Sequence, residues 1–177
     1  MHARAYAAAG LGDRARPILD LGSGGGVPGL VLAADDPDAR LVLVEANHRR
    51  CGFLVEAVSS LGLGGRVDVV CERAELLGRS PGHRGRYGTV VARGFGRPAV
   101  TAECAAPLLG RAGRLLVSEP PEEPAERRWP AEALDSLGLV LRTVSAGPPR
   151  IAVLERTRSC PERFPRRVGV PAKRPLW

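Results

Sequence analysis

Lysine, aromatic residues and long apolar runs are all scarce in this chain of 177 residues. Lys173 is the only lysine, so arginine carries nearly all of the positive charge, and aromatic residues make up 4% of the sequence. No apolar run approaches the roughly 20 residues that a transmembrane helix needs, which argues against a membrane protein. The N-terminus also lacks the sustained apolar region of a secretory signal peptide, so we expect a cytoplasmic protein.

Cysteine motifs for metal binding are missing as well. The four cysteines are Cys51, Cys71, Cys104 and Cys160. None of them forms a CxxC pair, and none has a histidine at ligand spacing. This pattern predicts free or buried thiols in a reducing compartment, and no zinc site.

A basic C-terminal tail, 157–177, is the first feature that the chain does contain. The length suits one domain, 1–177, with a buried core. The net charge is +7, and the tail contributes much of it. The tail's cations are Arg158, Arg163, Arg166, Arg167, Lys173 and Arg174, and its one acidic residue is Glu162. We therefore expect a polyanionic partner that the tail contacts.

Predicted strands and helices alternate along the chain. Apolar runs predict strands at 17–21, 41–45, 66–71, 88–92 and 113–118. Helical spacing and end signals predict helices at 27–34, between the cap residue Asn47 and Gly62, at 98–109 and at 131–137. This alternation is typical of an α/β fold with a parallel sheet.

Two further strands are predicted near the end of the chain, at 139–145 and 150–156. The sequence "AGPP" joins them and is too short for a crossover helix, so they should pair antiparallel. We therefore predict a doubly wound, Rossmann-like α/β sheet that is mostly parallel and closes with an antiparallel hairpin.

The stretch "ILDLGSGGGVPGL" runs from the first predicted strand into a glycine-rich turn. Gly24-x-Gly26-x-x-Gly29 matches the dinucleotide pattern literally, but this match starts three residues beyond the strand. In dinucleotide sites the first glycine makes the turn directly off the strand. Measured from Gly22, the third glycine of that pattern would fall on Val27. The dinucleotide match is therefore weak.

A second pattern, Asp20-x-Gly22-x-Gly24-x-Gly26, begins at the end of the strand. It resembles motif I of class I S-adenosylmethionine-dependent methyltransferases. Glycines there let the backbone approach a bulky nucleoside closely, and the Asp20 carboxylate can act on the cationic amino end of the cofactor. Glu45, at the end of the next strand, supplies a carboxylate for the ribose hydroxyls, as in dinucleotide sites. We therefore predict a site for S-adenosylmethionine.

Two later segments are predicted to reach the same edge of the sheet. In this methyltransferase superfamily an acidic or polar residue after the third strand contacts the adenine, which makes Ala74 and Glu75 of "CERAEL" candidates. Arg93 follows the fourth strand, at the carboxyl end of the sheet, where open α/β sheets bind their ligands. His48 and His83 are expected to be ordinary surface histidines.

Several segments together resemble one family, the bacterial glucose-inhibited division protein B (RsmG) methyltransferases. These segments are "LDLGSGGGVPGL", "LVEANHRRCGFL", "ERAEL", "LLGRAGRLL" and the ending "VLERTRSCPERFPRRVGVPAKRPL". The Pro/Arg-rich ending is the most specific of them. The resemblance implies methyl transfer from S-adenosylmethionine to guanine N7 of small-subunit (16S) ribosomal RNA. The implied partner is that RNA or the small ribosomal subunit, and we expect a monomer.

The resemblance also implies individual site residues. Matched position by position, the family's cofactor contacts fall on Gly22, Val27, Ala74, Glu75 and Arg93. With the motif I residues, the predicted cofactor set is Asp20, Gly22, Ser23, Gly24, Gly26, Val27, Glu45, Ala74, Glu75 and Arg93. Guanine N7 already has a free lone pair, so no general base is expected and catalysis would rest on positioning. Arg93 is the candidate for that positioning.

The tail offers two interpretations. In the first, its cations contact RNA, and Phe164 or Trp177 stacks on bases. The RNA-binding candidates are Arg163, Arg166, Arg167, Lys173 and Arg174. In the second, the prolines make the tail a rigid strap packed on the domain, and its arginines are merely solvated. Both interpretations can hold together.

The chain departs from the family pattern in two places. The family has a mostly helical segment before the first strand, and His2 aligns near the end of that segment, so we expect an N-terminally short member. A Leu-Lys-Gly segment is replaced around Glu119, and a carboxylate beside an RNA substrate opposes binding. Two alternatives therefore stay open: a non-catalytic relative that binds cofactor or RNA, and a methyltransferase redirected to a small molecule or protein.

Overall fold

A mixed sheet lies at the centre of the computed structural model, which describes residues 2–120 and 124–177. Its strands are β1 (Ile18–Leu21), β2 (Leu41–Glu45), β3 (Val67–Cys71), β4 (Tyr87–Ala92), β5 (Leu109–Glu119), β6 (Leu139–Val144) and β7 (Arg150–Arg156). The strand order is β3-β2-β1-β4-β5-β7-β6. The first five strands pair parallel, and β7 runs antiparallel between β5 and β6. This arrangement confirms the predicted doubly wound sheet with its terminal antiparallel hairpin.

Short helices cover the two faces of the sheet. They are α1 (His2–Ala8), α2 (Gly29–Asp35), α3 (His48–Ser60), α4 (Ala74–Leu77), α5 (Pro98–Ala105), α6 (Ala125–Arg128), α7 (Ala131–Ser136) and α8 (Val170–Lys173). The longest, α3, begins where the Asn47 side chain accepts hydrogen bonds from the backbone N–H groups of Arg49 and Arg50. That cap satisfies two of the donors that a helix start leaves open.

The apolar core is divided between the two faces of the sheet. On one face Leu19, Leu115 and Trp129 belong to a buried cluster that helix α5 joins. On the other face Tyr6 of α1 and Leu54 of α3 belong to a second cluster. Every residue of β1 and β4 is buried, as expected for central parallel strands covered on both sides.

The polypeptide between α5 and β5 differs from the sequence prediction. The predicted helix 98–109 ends at Ala105 and gives way to a 3₁₀ turn, Ala106–Leu108. Pro107 lies in that turn, and proline has no N–H with which to continue the helical hydrogen bonds. Strand β5 consequently begins at Leu109 instead of 113. Helices α1, α4, α6 and α8 were not predicted.

Cys51 and Cys71 form a disulfide, which corrects the expectation of free thiols for these two residues. Their Cα atoms are 5.8 Å apart, because the first turns of α3 pack beside the end of β3. A spacing of 20 residues gives no sign of this proximity in the sequence. Cys104 and Cys160 are free and buried, as predicted. Among the described residues, no helix is long and apolar enough to cross a membrane.

Candidate active site

The glycine turn leaves the carboxyl end of β1 and is tied to the neighbouring strand. The Ser23 N–H donates to the Val44 carbonyl at 2.8 Å, and the Gly26 N–H donates to the Ser23 carbonyl at 2.7 Å. Gly22 has a φ of 72°, a conformation that favours glycine. A Cβ atom at Gly22 would lie 2.6 Å from Cδ2 of Phe95, so the ring of Phe95 closes over the turn where a side chain would otherwise stand.

Asp20 lies beneath this turn with 1% of its surface exposed. Its Oδ2 atom accepts a hydrogen bond from the Gly29 N–H at 2.9 Å, at the start of α2. Burial raises the pKa of this carboxyl to about 7, although the Gly29 hydrogen bond opposes the shift. Asp20 thus joins β1 to α2 under the loop.

Glu45 ends β2 beside the turn and is also buried. Its Oε2 atom accepts from the Gly24 N–H at 3.0 Å, and its Oε1 atom accepts from the Asn47 N–H at 2.9 Å. The guanidinium of Arg50 approaches Oε2 at 3.8 Å. A carboxylate oxygen has two lone pairs, so each oxygen can accept one more hydrogen bond. The side chain is therefore fixed in place and still able to bind a pair of hydroxyls.

A cavity of about 200 Å³ opens over these residues. Its lining residues are Gly22, Val44, Glu45, Ala46, Arg50, Glu72, Ala74 and Phe95. A Cβ atom at Gly24 would meet only the Gly22 carbonyl oxygen, at 3.8 Å, and one at Gly25 would meet nothing within 4 Å. The loop therefore presents bare backbone to open space, as a cradle for a ligand requires. The cavity lies between the ends of β1, β2 and β3.

The predicted residues after β3 divide between two places. Ala74 lines the cavity, whereas the Glu75 side chain accepts a hydrogen bond from the Gly169 N–H of the tail at 2.9 Å. The Glu75 carboxylate, which was predicted to lie near the adenine, is thus hydrogen-bonded to the C-terminal tail.

Two further predicted residues belong to the glycine turn. Ser23 is buried, and its hydroxyl donates to the Asp20 carbonyl. Val27 lies two residues before α2 and does not line the cavity.

Arg93 follows β4 at the carboxyl edge of the sheet and is exposed, as predicted from the sequence. It lies outside the cavity lining, and its positive charge opposes the rise in the pKa of Asp20. Directly below, the Tyr6 hydroxyl donates to the Ala92 carbonyl at 2.7 Å, and burial raises the Tyr6 pKa to about 12.

Tyr6 and Phe95 were not predicted from the sequence as residues of the site. The only local signal was the aromatic residue between two glycines in "RGFGR".

Glu119 does not face the site as a free carboxylate. Only 2% of its side chain is exposed. It accepts hydrogen bonds from Arg128 Nε at 2.5 Å and from Trp129 Nε1 at 3.2 Å. Burial raises the pKa of Glu119, and the adjacent Arg128 opposes that shift. We expected Glu119 to repel an RNA substrate as a free carboxylate. That expectation is corrected, because Glu119 is buried and Arg128 compensates its charge.

The tail is a strap packed against the domain. Phe164 is 5% exposed, and the Trp177 ring packs edge-on against Trp129 at 6.4 Å, with Nε1 donating to the Arg128 carbonyl. These contacts correct the expectation that either ring is available for stacking on bases. The Arg166 guanidinium forms an ion pair with the buried Glu103, so its charge is compensated inside the protein. The remaining RNA-binding candidates are exposed: Arg163, Arg167, Lys173 and Arg174.

Comparison with known proteins identifies the family to which this chain belongs. Residues 6–144 match the family model described as GidB, rRNA small subunit methyltransferase G. The chain belongs to that family. A member from Rubrobacter xylanophilus is 40% identical over 169 residues, covering 90% of this chain and 64% of the relative. A member from Pelotomaculum thermopropionicum is 37% identical, covering 90% of this chain and 69% of the relative. The chain thus spans about two thirds of the length of these rRNA small subunit methyltransferase G relatives.

Solved structures of methyltransferases share the fold of this family member. The antibiotic-resistance methyltransferase Kmr superimposes with a TM-score of 0.64 at 17% identity, covering 88% of this chain and 93% of Kmr. A predicted O-methyltransferase from Agrobacterium tumefaciens gives 0.65 at 21% identity, covering 88% of this chain and 80% of that one. At these identities the likeness concerns the fold alone.

Proposed function

We propose that this chain transfers a methyl group from S-adenosylmethionine to guanine N7 of small-subunit ribosomal RNA. Membership of the rRNA small subunit methyltransferase G family supports the reaction class and the substrate. The observation that carries the proposal is the Glu45 carboxylate, which is bonded to the Gly24 N–H of the glycine turn beside an open cavity. That combination suits a nucleoside at the carboxyl edge of the sheet.

The residues present fit the proposed cofactor. Glu45 would accept the ribose hydroxyls, while the backbone of Gly22 and Gly24 would lie against the nucleoside. Ala74 would bound the adenine side of the cavity, and Phe95 would cover the turn from above. Asp20 would act on the cationic amino end across the loop. The remaining predicted residues, Ser23, Gly26, Val27, Glu75 and Arg93, would shape the loop and the edge around it.

The bound cofactor would supply an electrophilic methyl group on a sulfonium. Guanine N7 needs no deprotonation before it reacts, so this chain's task is to position the base and exclude water. Arg93, exposed above Tyr6 at the end of β4, is placed to orient the incoming base or the cofactor carboxylate.

The exposed cations of the tail would bind the phosphates of the RNA. Arg163, Arg167, Lys173 and Arg174 give the tail a positive surface that phosphate groups neutralise with release of counterions. The partner would be the small ribosomal subunit or its RNA. We propose that the protein acts in the cytoplasm, where that subunit is assembled, and as a monomer.

Calorimetry with S-adenosylmethionine tests the cofactor part of the proposal. We expect a single site per chain in the wild type and strongly weakened binding in Glu45→Ala. Incubation with small ribosomal subunits and methyl-labelled cofactor tests the reaction, with label expected in guanine N7. Binding of the cofactor without any transfer to the subunits would contradict the RNA reaction and favour a non-catalytic or redirected relative.

A further inference from the structure

We propose that Glu103 is a positioning residue for the RNA substrate, acting through Arg166 on the cations at the end of the C-terminal tail. The inference rests on the proposed RNA methyltransferase function. Glu103 lies in α5 with none of its surface exposed, and it takes no part in the cavity described above. A buried carboxylate is costly unless it is fully paired, so its partners indicate its task.

The pairing of Glu103 with Arg166 is complete. The Arg166 backbone N–H and Nε both donate to Oε1 at 2.8 Å, and the Arg166 Nη2 donates to Oε2 at 2.6 Å. The same Nη2 also donates to the Arg174 carbonyl at 2.7 Å. One guanidinium thus joins a buried carboxylate to the last residues of the chain, just after α8.

Other contacts hold the preceding part of the tail against the loop between α4 and β4. Arg84 donates to the carbonyls of Cys160, Pro161 and Phe164 at 2.8–3.1 Å. Arg79 Nε donates to the Pro165 carbonyl at 2.9 Å. The backbone of this part of the tail is therefore fixed from residue 160 onward.

The end of the tail crosses the edge of the sheet that carries the cofactor cavity. At one side Gly169 is bonded to Glu75, the neighbour of the cavity residue Ala74. At the other side Trp177 packs against Trp129, whose indole N–H donates to Glu119 at the end of β5. Residues 169–177, the crossing segment, therefore run from α4 to Trp129, and α8 within this segment packs on α5.

Lys173 and Arg174 lie in this crossing segment and are exposed. The Arg166 guanidinium donates a hydrogen bond to the Arg174 carbonyl and so fixes the backbone there. The backbone that carries both cations is therefore held in one position before RNA binds. Fixing them before the RNA arrives lowers the entropy lost on binding. Cations held in one place can then contact phosphates that flank the target guanine.

The test compares three sets of substitutions in the full chain. E103M/R166M removes both charges of the pair together, so no unpaired buried ion is left to unfold the domain. K173Q/R174Q removes the proposed RNA contacts, and the third set combines all four changes. Arg111→Gln is the matched control, because Arg111 is an exposed arginine near the start of β5, at the sheet edge opposite the cofactor cavity. The readouts are KM and kcat on small ribosomal subunits and the calorimetric Kd for S-adenosylmethionine.

We expect E103M/R166M and K173Q/R174Q each to raise KM for the subunits about tenfold, with a smaller salt dependence and little change in kcat. The combined variant should be no worse than K173Q/R174Q alone, because both sets act through the same cations. The Kd for the cofactor should not change. A KM for E103M/R166M no higher than that of Arg111→Gln, or effects that multiply in the combined variant, would overturn the inference. Failure of the wild type to methylate subunits would instead overturn the proposed function.

Discussion

The Oε2 atom of Glu45 accepts a hydrogen bond from the Gly24 N–H at 3.0 Å, so one carboxylate links the end of β2 to the glycine turn after β1. Its other oxygen holds the Asn47 N–H, just before α3. These bonds orient Glu45 toward the cavity before any ligand binds. Because the Glu45 side chain is already ordered, ligand binding costs less conformational entropy.

Substitution of Glu45 should weaken cofactor binding, by an amount that depends on how many acceptor oxygens remain. Hydrogen bonds to a charged group contribute about 1.5–3 kcal/mol. Glu45→Gln keeps one acceptor oxygen, and we expect about a tenfold loss of affinity for S-adenosylmethionine. Glu45→Ala should lose more, because the turn also loses its anchor at Gly24. Titration calorimetry measures both, and equal affinity in all three proteins would contradict the role given to Glu45.

Asp20 should make stability depend on pH. Its pKa in the folded protein is raised from the ordinary value of 3.8 to about 7 by burial. The folded state therefore holds the proton more tightly than the unfolded state between these values. Stability should fall as the pH rises from about 4 to about 7, by at most about 1.4 kcal/mol per pH unit, and then level off.

Asp20→Asn provides the matched control, because its amide oxygen can still accept from the Gly29 N–H. The variant should lose this part of the pH dependence, so its stability relative to wild type should rise toward neutral pH. Denaturant unfolding of both proteins across this range measures the difference. A difference that stays constant with pH would contradict the raised pKa.

Replacement by alanine should affect stability differently at Gly29 and at Gly25. A Cβ atom at Gly29 would lie 2.6 Å from Asp20 Oδ2 and 2.5 Å from Leu43 Cδ2, so Gly29→Ala must push α2 away from the sheet. We expect a loss of about 1–3 kcal/mol in the free energy of unfolding. Gly25→Ala meets nothing within 4 Å and should be close to neutral. Denaturant unfolding would contradict the packing described here if the two variants were equally stable.

The Cys51–Cys71 disulfide should contribute to stability. It closes a loop of 20 residues, for which chain entropy predicts about 3 kcal/mol. Reduction of the wild type should therefore lower the free energy of unfolding by about that amount. C51S/C71S should be less stable and insensitive to reductant, while Cys104 and Cys160 stay protected from alkylation by burial. A wild type that is equally stable with and without reductant would contradict this expectation.

The sequence predicted those features that follow from short-range spacing. Asp20 and the glycines mark the end of β1, Glu45 marks the end of β2, and parallel strands bring both ends to one edge. The terminal hairpin followed from a connection too short for a crossover. These inferences needed only strand lengths and turn chemistry.

Features that depend on distant packing could not be predicted in this way. Phe95 reaches Gly22 from the loop after β4, and Tyr6 reaches Ala92 from α1. The charge of Glu119 is compensated by Arg128 and a tryptophan from the following connection, whose placement the local pattern does not contain. Glu103 has no sequence signal at all, because its partner lies 63 residues away in the tail.

Mapping of the methylated base is the most direct test of the central claim. Small ribosomal subunits that lack the modification would be incubated with the full chain and methyl-labelled S-adenosylmethionine, with Glu45→Ala as the control. The account predicts that label enters the 16S ribosomal RNA as 7-methylguanine with the wild type and is greatly reduced with Glu45→Ala. Cofactor binding by the wild type without any 7-methylguanine in the RNA would contradict it.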